Sequence, residues 1–300
     1  MNGLAALSQN MNYIEKWSMI NQTLNRDKIA ILALQEMHLS EETTERIRDC
    51  FRKKMTIVYS ADPNNPSTSA GIAFIINKAL ISPRKISTTA LQEGRALMLE
   101  IEWLETEKTS ILNIYAPNDR ATHPAFWKTI EEMRRNKGLA RPDFTIGDFN
   151  ITEDLMDRAP PRLDDTQAIE AFRDVKQSWE MQDEWRQTYP EKKVFTYRAH
   201  ANKQQIQSHL DRIYAKRSCA QHLYDRRIKP SAVPTDHWLV TVKYALKDTP
   251  DIGKGRWTLP LQVLKNRKLI EMIIMCGIKL QEDLENIRIQ NTNRKTTNPQ

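Results

Sequence analysis

Cysteine is scarce in this 300-residue chain. Cys50, Cys219 and Cys276 lie far apart, show no metal-ligand spacing and cannot all pair with one another. This spacing indicates neither a disulfide-stapled scaffold nor a cysteine-based metal site. A reducing compartment is the simplest interpretation of the cysteine usage.

Long apolar runs are absent as well. The longest apolar patch, IEMIIMCGI at 270–278, is too short for a membrane span, which needs about 20 residues. No positively charged leader followed by an apolar run opens the chain, and we find no internal repeat or low-complexity tract. A Walker loop and a GxSxG motif are also missing, so neither a phosphate loop nor a serine-hydrolase elbow supplies the chemistry.

The composition indicates a compact enzyme rather than a disordered regulator. With 40% hydrophobic residues, the chain can bury one core of about 200 to 250 residues and carry additional segments. It holds 45 basic and 38 acidic residues, which gives a formal net charge of +7. This moderate basic excess permits a polyanionic partner without requiring one.

Helical and strand-like patterns follow one another along most of the chain. Apolar residues recur at helical spacing from Tyr13 to Leu24, and IAILAL at 29–34 is typical of a buried strand. SEETTERIRDCF at 40–51 predicts a helix that begins with a Ser cap. Further helices are predicted at 124–135 and 166–179, and strands at 55–61, 70–77, 95–103, 110–117, 143–150, 194–199, 208–215 and 237–246.

Strands outnumber helices in this pattern and partly cluster. We therefore expect an α/β (α+β) fold in which packed sheets carry helices on their outer faces. The character of the sequence changes near residue 248, where a linker-like stretch leads to a helix-forming segment and a polar tail. We predict a catalytic domain at 1–247, a linker at 248–258 and the helical segment with its tail at 259–300.

Polar side chains stand where several of the predicted apolar strands begin or end. Buried strands that repeatedly carry carboxylates, amides and a histidine at their ends predict one polar site at the edge of a sheet. The residues are Glu36, Asn113, Tyr115, Asn118, Asp148, Asn150, Asp211, Arg212, Asp236 and His237.

Glu36, Asp148 and Asn150 each have a structural interpretation beside the functional one. Glu36 is either the N-cap of the following helix or a hard carboxylate ligand for Mg²⁺. Asp148 and Asn150 form either an Asx turn or, with both side chains on one side of a strand, a pair that aligns and deprotonates a water.

The same choice exists for the remaining candidates. Asp236 and His237 are either a turn followed by a core histidine or part of the site, if Asp211 faces His237 and fixes its tautomer. Tyr115 either packs against the sheet or steadies a phosphate oxygen with its hydroxyl. The other histidines show no matching spacing, which predicts surface or loop positions for His38, His123, His200, His209 and His222.

The chain resembles the endonuclease/exonuclease/phosphatase superfamily in five ordered motifs: LQE at 34–36, NIYAPN at 113–118, GDFN at 147–150, SHLDRI at 208–213 and TDH at 235–237. The similarity covers about residues 1–245. Within the superfamily the chain looks most like the endonuclease domain of non-LTR (LINE-type) retrotransposons. In those proteins a linker similar to Gly-Arg-Trp at 255–257 leads toward a reverse transcriptase.

The resemblance implies a four-layer sandwich, two packed β-sheets flanked by helices, that hydrolyses phosphodiesters with Mg²⁺, or alternatively Mn²⁺. Asp148 would activate the water, and His237, paired with its aspartate, would contact the scissile phosphate. In full, the resemblance assigns metal binding to Glu36, Asp236 and Asn2, catalysis to Asp148, Asn150, Asp211, His237 and Tyr115, and substrate binding to Asn113, Asn118 and Arg212.

The start of the chain departs from the superfamily pattern. There, the first strand ends in a metal-binding Asn, and a turn with Gly follows two residues later. Asn2-Gly3 matches this turn, so the strand and its Asn would precede Met1, with Asn2 at the rim of the site. Because that strand is normally interior, its absence would remove a hydrogen-bonded ladder together with a ligand, and we expect it to reduce activity.

For a retrotransposon nuclease the partner would be double-stranded DNA, nicked on one strand to provide a 3′-hydroxyl primer. We expect a monomer without a membrane contact, part of a larger polyprotein with a reverse transcriptase, intracellular, and nuclear when active. The alternatives are a catalytically inactive remnant that still binds nucleic acid, an abasic-site nuclease, or a phosphoesterase that acts on small substrates.

Overall fold

A computed structural model describes residues 13–81, 85–102, 108–201, 204–245 and 267–296. The chain divides into two compact units, with Lys247 the last residue of the first. The predicted linker at 248–258, including its Gly-Arg-Trp motif, lies outside the described residues, and the domain assignment stays a prediction. Among the described residues, no helix is long and apolar enough to cross a membrane.

Short helices and strands make up the first unit. Its helices are α1 Tyr13–Arg26, α2 Glu41–Phe51, α3 His123–Asn136, α4 Thr166–Ser178, α5 Glu184–Thr188 and α6 Arg217–Ala220. Its strands are β1 Ile31–Gln35, β2 Met55–Ser60, β3 Ile72–Asn77, β4 Lys85–Gln92, β5 Ala96–Glu102, β6 Lys108–Tyr115, β7 Phe144–Asp148, β8 Arg158–Ala159, β9 Met181–Asp183, β10 Tyr197–Ala201, β11 Gln204–Ser208, β12 Asp211–Lys216, β13 Leu223–Pro230 and β14 Trp238–Tyr244.

The strands form two main sheets and two smaller ones. One main sheet has the order β1-β3-β2, and the other has the order β4-β5-β6-β7-β12-β9. In the larger sheet β6 and β7 are parallel, so their carboxyl ends lie at the same edge, and β12 runs antiparallel to β7. The smaller sheets are β13-β14 and β10-β11-β8.

Three hydrophobic cores separate four layers. Trp17 of α1 packs with residues of the β1-β3-β2 sheet, Phe74 packs with Leu99 between the two main sheets, and Leu112 packs with Trp127 of α3 outside the larger sheet. The order of layers is therefore helix, sheet, sheet, helix. This architecture confirms the predicted fold class of two packed sheets flanked by helices.

Strand β3 shows how the sequence specifies the layers. All six residues of IAFIIN are buried, because the strand has a core on each face. Side chains alternate across a strand, so Ile72, Phe74 and Ile76 enter the core between the sheets, while Ala73 and Ile75 face the helices.

The predicted helices and strands appear close to their expected places. Helix α2 begins after Ser40, whose side chain accepts a hydrogen bond from the Thr43 amide, and α3 and α4 lie within one residue of their predicted bounds. Strands β4 and β13 are among those that the sequence pattern does not predict, because several of their residues are exposed or half-buried and apolar alternation is weak. The basic stretch at 225–230 forms most of β13.

The second unit contains one long helix, α7 Arg267–Thr296. It lies inside the predicted helical segment at 259–300. Several of its large apolar side chains are exposed, among them Met275 at 67% and Leu280 at 60%.

A buried pair of amides joins the two main sheets. The Gln35 side chain donates to Asn113 Oδ1 over 2.6 Å, and Asn113 Nδ2 donates to the carbonyls of Leu34 at 3.1 Å and Ala73 at 3.0 Å. Asn113 is fully buried and uses its amide within the sandwich. The prediction that Asn113 binds substrate is therefore wrong, because this side chain does not reach the surface.

We expect Asn113→Ala to lower the free energy of unfolding by about 2 to 4 kcal/mol, because it leaves several buried polar groups without a partner. Urea denaturation of the purified chain measures this loss. Asn64→Ala is the matched control, since Asn64 lies exposed in the loop after β2, and we expect it to change stability by less than about 0.5 kcal/mol. Equal losses in the two variants would show that the hydrogen bonds of Asn113 between the sheets do not contribute to the free energy of unfolding.

Candidate active site at the edge of the sheets

Three neighbouring strand ends place polar side chains in one row. Tyr115 ends β6 and is paired in register with Asp148, which ends β7. Asp211 begins β12 and is paired with Asp148 on the other side. Residues paired directly across a sheet project on the same face, so the three side chains converge at this edge.

His237 completes the group from the segment before β14. Its Nδ1 lies 2.7 Å from Asp211 Oδ2, and both residues are buried. One oxygen of Asp148, one oxygen of Asp211 and one ring nitrogen of His237 all lie within 4.8 Å of one another. Asp211 therefore faces His237, which favours the site interpretation of this histidine over that of an isolated core residue.

Burial and mutual charge set the protonation states of the group. Burial and the neighbouring Asp211 raise the pKa of Asp148 to about 7. Burial alone would lower the pKa of His237, but the charge of Asp211 and the hydrogen bond to it outweigh burial and raise the pKa to about 9. At neutral pH the site therefore combines a carboxyl group that can exchange a proton with an imidazolium that stays charged.

The raised pKa of His237 also links the site to folding. A group whose pKa is higher in the folded state stabilises the fold fully below its unfolded value, which is 6.5 here. This stabilisation is lost as the pH rises through about 9.

Glu36 and Asn150 have backbone conformations that are rare for residues other than glycine. Their φ angles are 51° and 49°, and such left-handed residues cost about 1 to 3 kcal/mol and concentrate at functional sites. Tyr115 donates its hydroxyl hydrogen to Glu36 Oε1, and burial together with this carboxylate raises the pKa of Tyr115. Ser40 caps α2, so the alternative that Glu36 is the helix cap is wrong.

Asn150 links two loops at the rim of the site. Its amide donates to Asp148 Oδ1 over 2.9 Å, which forms the Asx turn considered from the sequence. Its side chain donates to the Ala116 carbonyl at 2.8 Å and to Asn118 Oδ1 at 2.7 Å. Strand β7 ends at Asp148, so a left-handed turn, rather than strand alternation, brings Asn150 to the site.

Thr196 holds the backbone beside Asp211 in place, although it belongs to no sequence motif. Its Oγ1 accepts hydrogen bonds from the amides of Leu210 at 3.0 Å and Asp211 at 2.9 Å, which fixes the start of β12. No local sequence pattern indicates this role of Thr196, because its partners lie 14 and 15 residues further along the chain.

The donor set fits a hard divalent cation. Asp236 Oδ1 is buried and has no hydrogen-bond partner among the described residues. Asp148 and Asp211 add carboxylate oxygens within 4.8 Å of each other and of a His237 ring nitrogen, and a charge interaction joins Asp148 to Glu36. Mg²⁺ prefers oxygen ligands of this kind. Asn2, the remaining predicted metal ligand, lies outside the described residues.

Arg212 lies away from this group, in a buried network of ion pairs. Its guanidinium donates to Asp183 over 2.5 Å and to Asp157 over 2.6 Å, and His209 Nδ1 lies 3.5 Å from Asp157. Arg212 is only 4% exposed and points to the opposite face from its neighbour Asp211. The prediction that Arg212 binds substrate is therefore wrong.

Two of the histidines predicted at surface or loop positions are also buried. His209, in the ion-pair network, and His123, at the start of α3, are 1% and 0% exposed. His123 Nε2 lies 2.8 Å from the Pro117 carbonyl oxygen. The prediction is wrong for His123, which is buried and begins a helix, whereas His209 lies in the predicted kind of position, the loop between β11 and β12, although it is buried.

We expect Asp148→Asn to stabilise the metal-free protein by about 4 kcal/mol at pH 8. The carboxyl pKa of 3.8 rises to about 7 on folding, so the folded state binds more protons and wild-type stability falls as the pH rises through this window. Asparagine removes the cost of ionising a buried carboxyl group. It keeps the side-chain oxygen that accepts a hydrogen bond from the Asn150 backbone amide.

Urea denaturation in EDTA between pH 4 and 8 measures the difference between Asp148→Asn and wild type. The gain should grow up to about pH 7 and then stay constant. Asp174→Asn, on the exposed face of α4, is the control and should show no such trend. A gain that does not depend on pH would show that ionisation of Asp148 is not the cause.

Comparisons with known proteins agree with the fold. No family model matches the chain. A 149 kDa uncharacterised protein of transposon TX1 from Xenopus laevis is 28% identical over 198 residues, which cover 63% of this chain and 14% of that protein. The chain therefore spans only a small part of this relative.

Solved structures with similar folds are nucleases. The endonuclease domain of TRAS1, a telomere-specific non-LTR retrotransposon, has a TM-score of 0.56 at 13% identity, covering 78% of this chain and 94% of that domain. An AP endonuclease from Archaeoglobus fulgidus has a TM-score of 0.61 at 17% identity, covering 78% and 96%. The 3′-5′ exonuclease NExo from Neisseria meningitidis has a TM-score of 0.61 at 18% identity, covering 76% and 94%. The chain therefore has the fold of the endonuclease/exonuclease/phosphatase superfamily, as its five motifs predicted.

Proposed function

We propose that this chain is a metal-dependent phosphodiesterase that nicks one strand of double-stranded DNA and leaves a 3′-hydroxyl primer. The observation that carries the proposal is the cluster of Asp148, Asp211 and His237, whose possible ligand atoms lie within 4.8 Å of one another at the sheet edge that also carries Glu36. Phosphodiester hydrolysis needs an activated water and a positive charge beside the negative charge that spreads over the phosphate. In this cluster Asp148 can activate the water, and the imidazolium of His237 supplies a positive charge.

The two central residues divide the chemistry. Asp148, whose pKa is raised to about 7, can accept the proton of the attacking water near neutral pH. Asn150 orients that water from the rim. His237 stays protonated, since its pKa is raised to about 9, and donates a hydrogen bond to an oxygen of the scissile phosphate, while Asp211 holds the imidazolium in place.

Glu36 and Asp236 would hold the metal ion, with Mg²⁺ preferred because the donors are carboxylate oxygens. A bound divalent ion neutralises charge that develops on the phosphate and leaving oxygens. Asn118 lies exposed beside Asn150, where it can contact a phosphate oxygen. Tyr115 holds the Glu36 carboxylate in place through its hydroxyl.

The transposon TX1 relative and the likeness to the TRAS1 endonuclease domain support a retroelement origin. For such an origin we expect a reverse transcriptase to belong to the same polyprotein. We propose that the active protein works in the nucleus as a monomer. The basic excess of +7 suits backbone contacts with DNA, so binding should weaken as salt rises. Flexible DNA steps should be cut in preference to a strict sequence.

A second candidate, cleavage at abasic sites, has one observation in its favour. The AP endonuclease from Archaeoglobus fulgidus has a higher TM-score, 0.61, than the retrotransposon domain, 0.56. Both functions would use the same carboxylates and histidine. The substrate therefore decides between them.

A plasmid assay tests the proposed function. Supercoiled plasmid, with and without introduced abasic sites, is incubated with the chain in Mg²⁺, Mn²⁺ or EDTA, and the nicked form is quantified. We expect intact plasmid to be nicked in Mg²⁺ but not in EDTA, and the nick to be extendable by a DNA polymerase. Cutting confined to abasic plasmid would favour the second candidate. No cutting in any condition would overturn the nuclease proposal and favour an inactive remnant.

A further inference from the structure

Tyr197, the first residue of β10, lies directly against His237. The two ring centroids are 4.8 Å apart with planes inclined by 45°, and the two residues form an isolated β-bridge. Tyr197 is half-buried, so part of its ring remains accessible beside the imidazole. No motif singled out this residue in the sequence.

The backbone around Tyr197 is held on both sides. The Trp238 amide donates to the Thr196 carbonyl over 2.6 Å, and the Arg198 amide donates to the Asp236 carbonyl over 3.2 Å. The Arg198 guanidinium also lies 4.4 Å from the centre of the Trp238 ring. Tyr197 is therefore fixed relative to the histidine, as a preorganised site requires.

The Tyr197 hydroxyl has no hydrogen-bond partner among the described residues. The hydroxyl of Tyr115, the other tyrosine at the site, already donates to Glu36. Burial and the charges of nearby carboxylates, led by Asp236, raise the pKa of Tyr197. The protonated hydroxyl, with no partner among the described residues, is free to donate a hydrogen bond beside His237.

We propose that Tyr197 is a substrate-contacting residue whose hydroxyl donates a hydrogen bond to a phosphate oxygen of the bound DNA while its ring holds the face of His237. This inference rests on the proposed function, because it uses the same site and substrate. It transfers the phosphate contact assigned to Tyr115 from the sequence to a tyrosine whose hydroxyl is not already bound to Glu36.

Two substitutions separate the hydroxyl from the ring. Tyr197→Phe keeps the ring contact and removes only the donor, so we expect kcat for plasmid nicking to fall about tenfold at an unchanged melting temperature. Tyr197→Ala removes both and should lower kcat about a hundredfold. Tyr224→Phe, with its ring 51% exposed on β13, is the matched control and should behave as wild type. A purely packing role predicts no loss for Tyr197→Phe.

A binding measurement keeps the test independent of turnover. Fluorescence anisotropy with a labelled 20-base-pair duplex in EDTA should show weaker binding by Tyr197→Phe, by about threefold, than by wild type or Tyr224→Phe. If the wild-type chain binds DNA in this pattern but never nicks plasmid, the contact is supported while the nuclease proposal fails. Tyr197→Phe equal to wild type in both nicking and binding overturns the contact alone, and a chain that neither nicks nor binds overturns both.

Discussion

Replacing His237 by alanine is expected to lower the rate of plasmid nicking by about 10² to 10⁴-fold. His237 is the charged donor of the site, because its pair with Asp211 raises its pKa to about 9. Alanine removes that charge where the phosphate must be neutralised, and no other histidine among the described residues belongs to the cluster of possible ligand atoms. Single-turnover nicking assays with excess enzyme measure the change.

Asp211→Asn tests the pair rather than the histidine alone. The variant keeps the shape of the partner but removes the charge that raises the pKa of His237, and burial then lowers this pKa. Nicking should therefore fall at pH 8 and recover in part at pH 6, where more of the imidazole is protonated.

His222→Ala is the control for the two variants, since this half-buried histidine lies in the turn before β13, and it should nick as wild type does. Asp148→Ala should lose as much activity as His237→Ala. Equal nicking by wild type, His237→Ala and Asp148→Ala would refute the proposed site.

The sequence could bring most of the candidate residues together because strand ends share an edge. Tyr115, Asp148 and Asp211 end or begin neighbouring strands, and their register places them side by side. An apolar strand that stops at a carboxylate is visible without any structure. The convergence of these residues followed from topology, while their catalytic roles stay predictions.

The sequence did not show in the same way where a side chain points or how deeply it is buried. Asn113 lies on the same strand as Tyr115 and two residues before it, so both project on one face. Only Tyr115, at the strand end, reaches Glu36, whereas Asn113 meets Gln35 inside the sandwich. Tyr115 is a site residue and Asn113 a structural one because they lie at different distances from the sheet edge. The local sequence does not reveal that distance.

Long-range partners were also beyond a single sequence. Arg212 appeared to belong to the site because it follows Asp211, yet it pairs with Asp157 and Asp183 on the other face. Thr196 and Tyr197 carry no catalytic signature, and their roles depend on contacts with β12 and His237. Such residues need tertiary structure, because nothing in their neighbourhood distinguishes them from ordinary strand residues.

The GDFN motif begins with Gly147, and steric crowding explains why glycine occupies this position. Gly147 has a φ of 136°, and a Cβ at this position would lie 2.0 Å from the Ile114 carbonyl oxygen. That oxygen belongs to the backbone of β6, the strand paired with β7, so no side-chain rotation can relieve the clash. Any other residue must push β7 away from β6 next to Asp148.

We expect Gly147→Ala to destabilise the protein by more than about 4 kcal/mol, a loss that only severe core or backbone disruption produces. Gly138→Ala is the matched control: its φ of 64° also strains alanine, but nothing lies within 4 Å of the added Cβ, so we expect a loss of about 1 kcal/mol. Urea denaturation and the yield of soluble protein measure both variants.

Similar losses in the two variants would show that positive φ, and not the contact with β6, explains the glycine. A folded Gly147→Ala chain that still nicks DNA would show that β6 and β7 can separate without moving Asp148. We expect neither result, because Asp148 immediately follows the glycine and is paired with Tyr115 of β6 on one side and Asp211 of β12 on the other. Any displacement of β7 therefore changes the spacing of the proposed base from both neighbours at once, which couples the fold of this strand to the chemistry at its end.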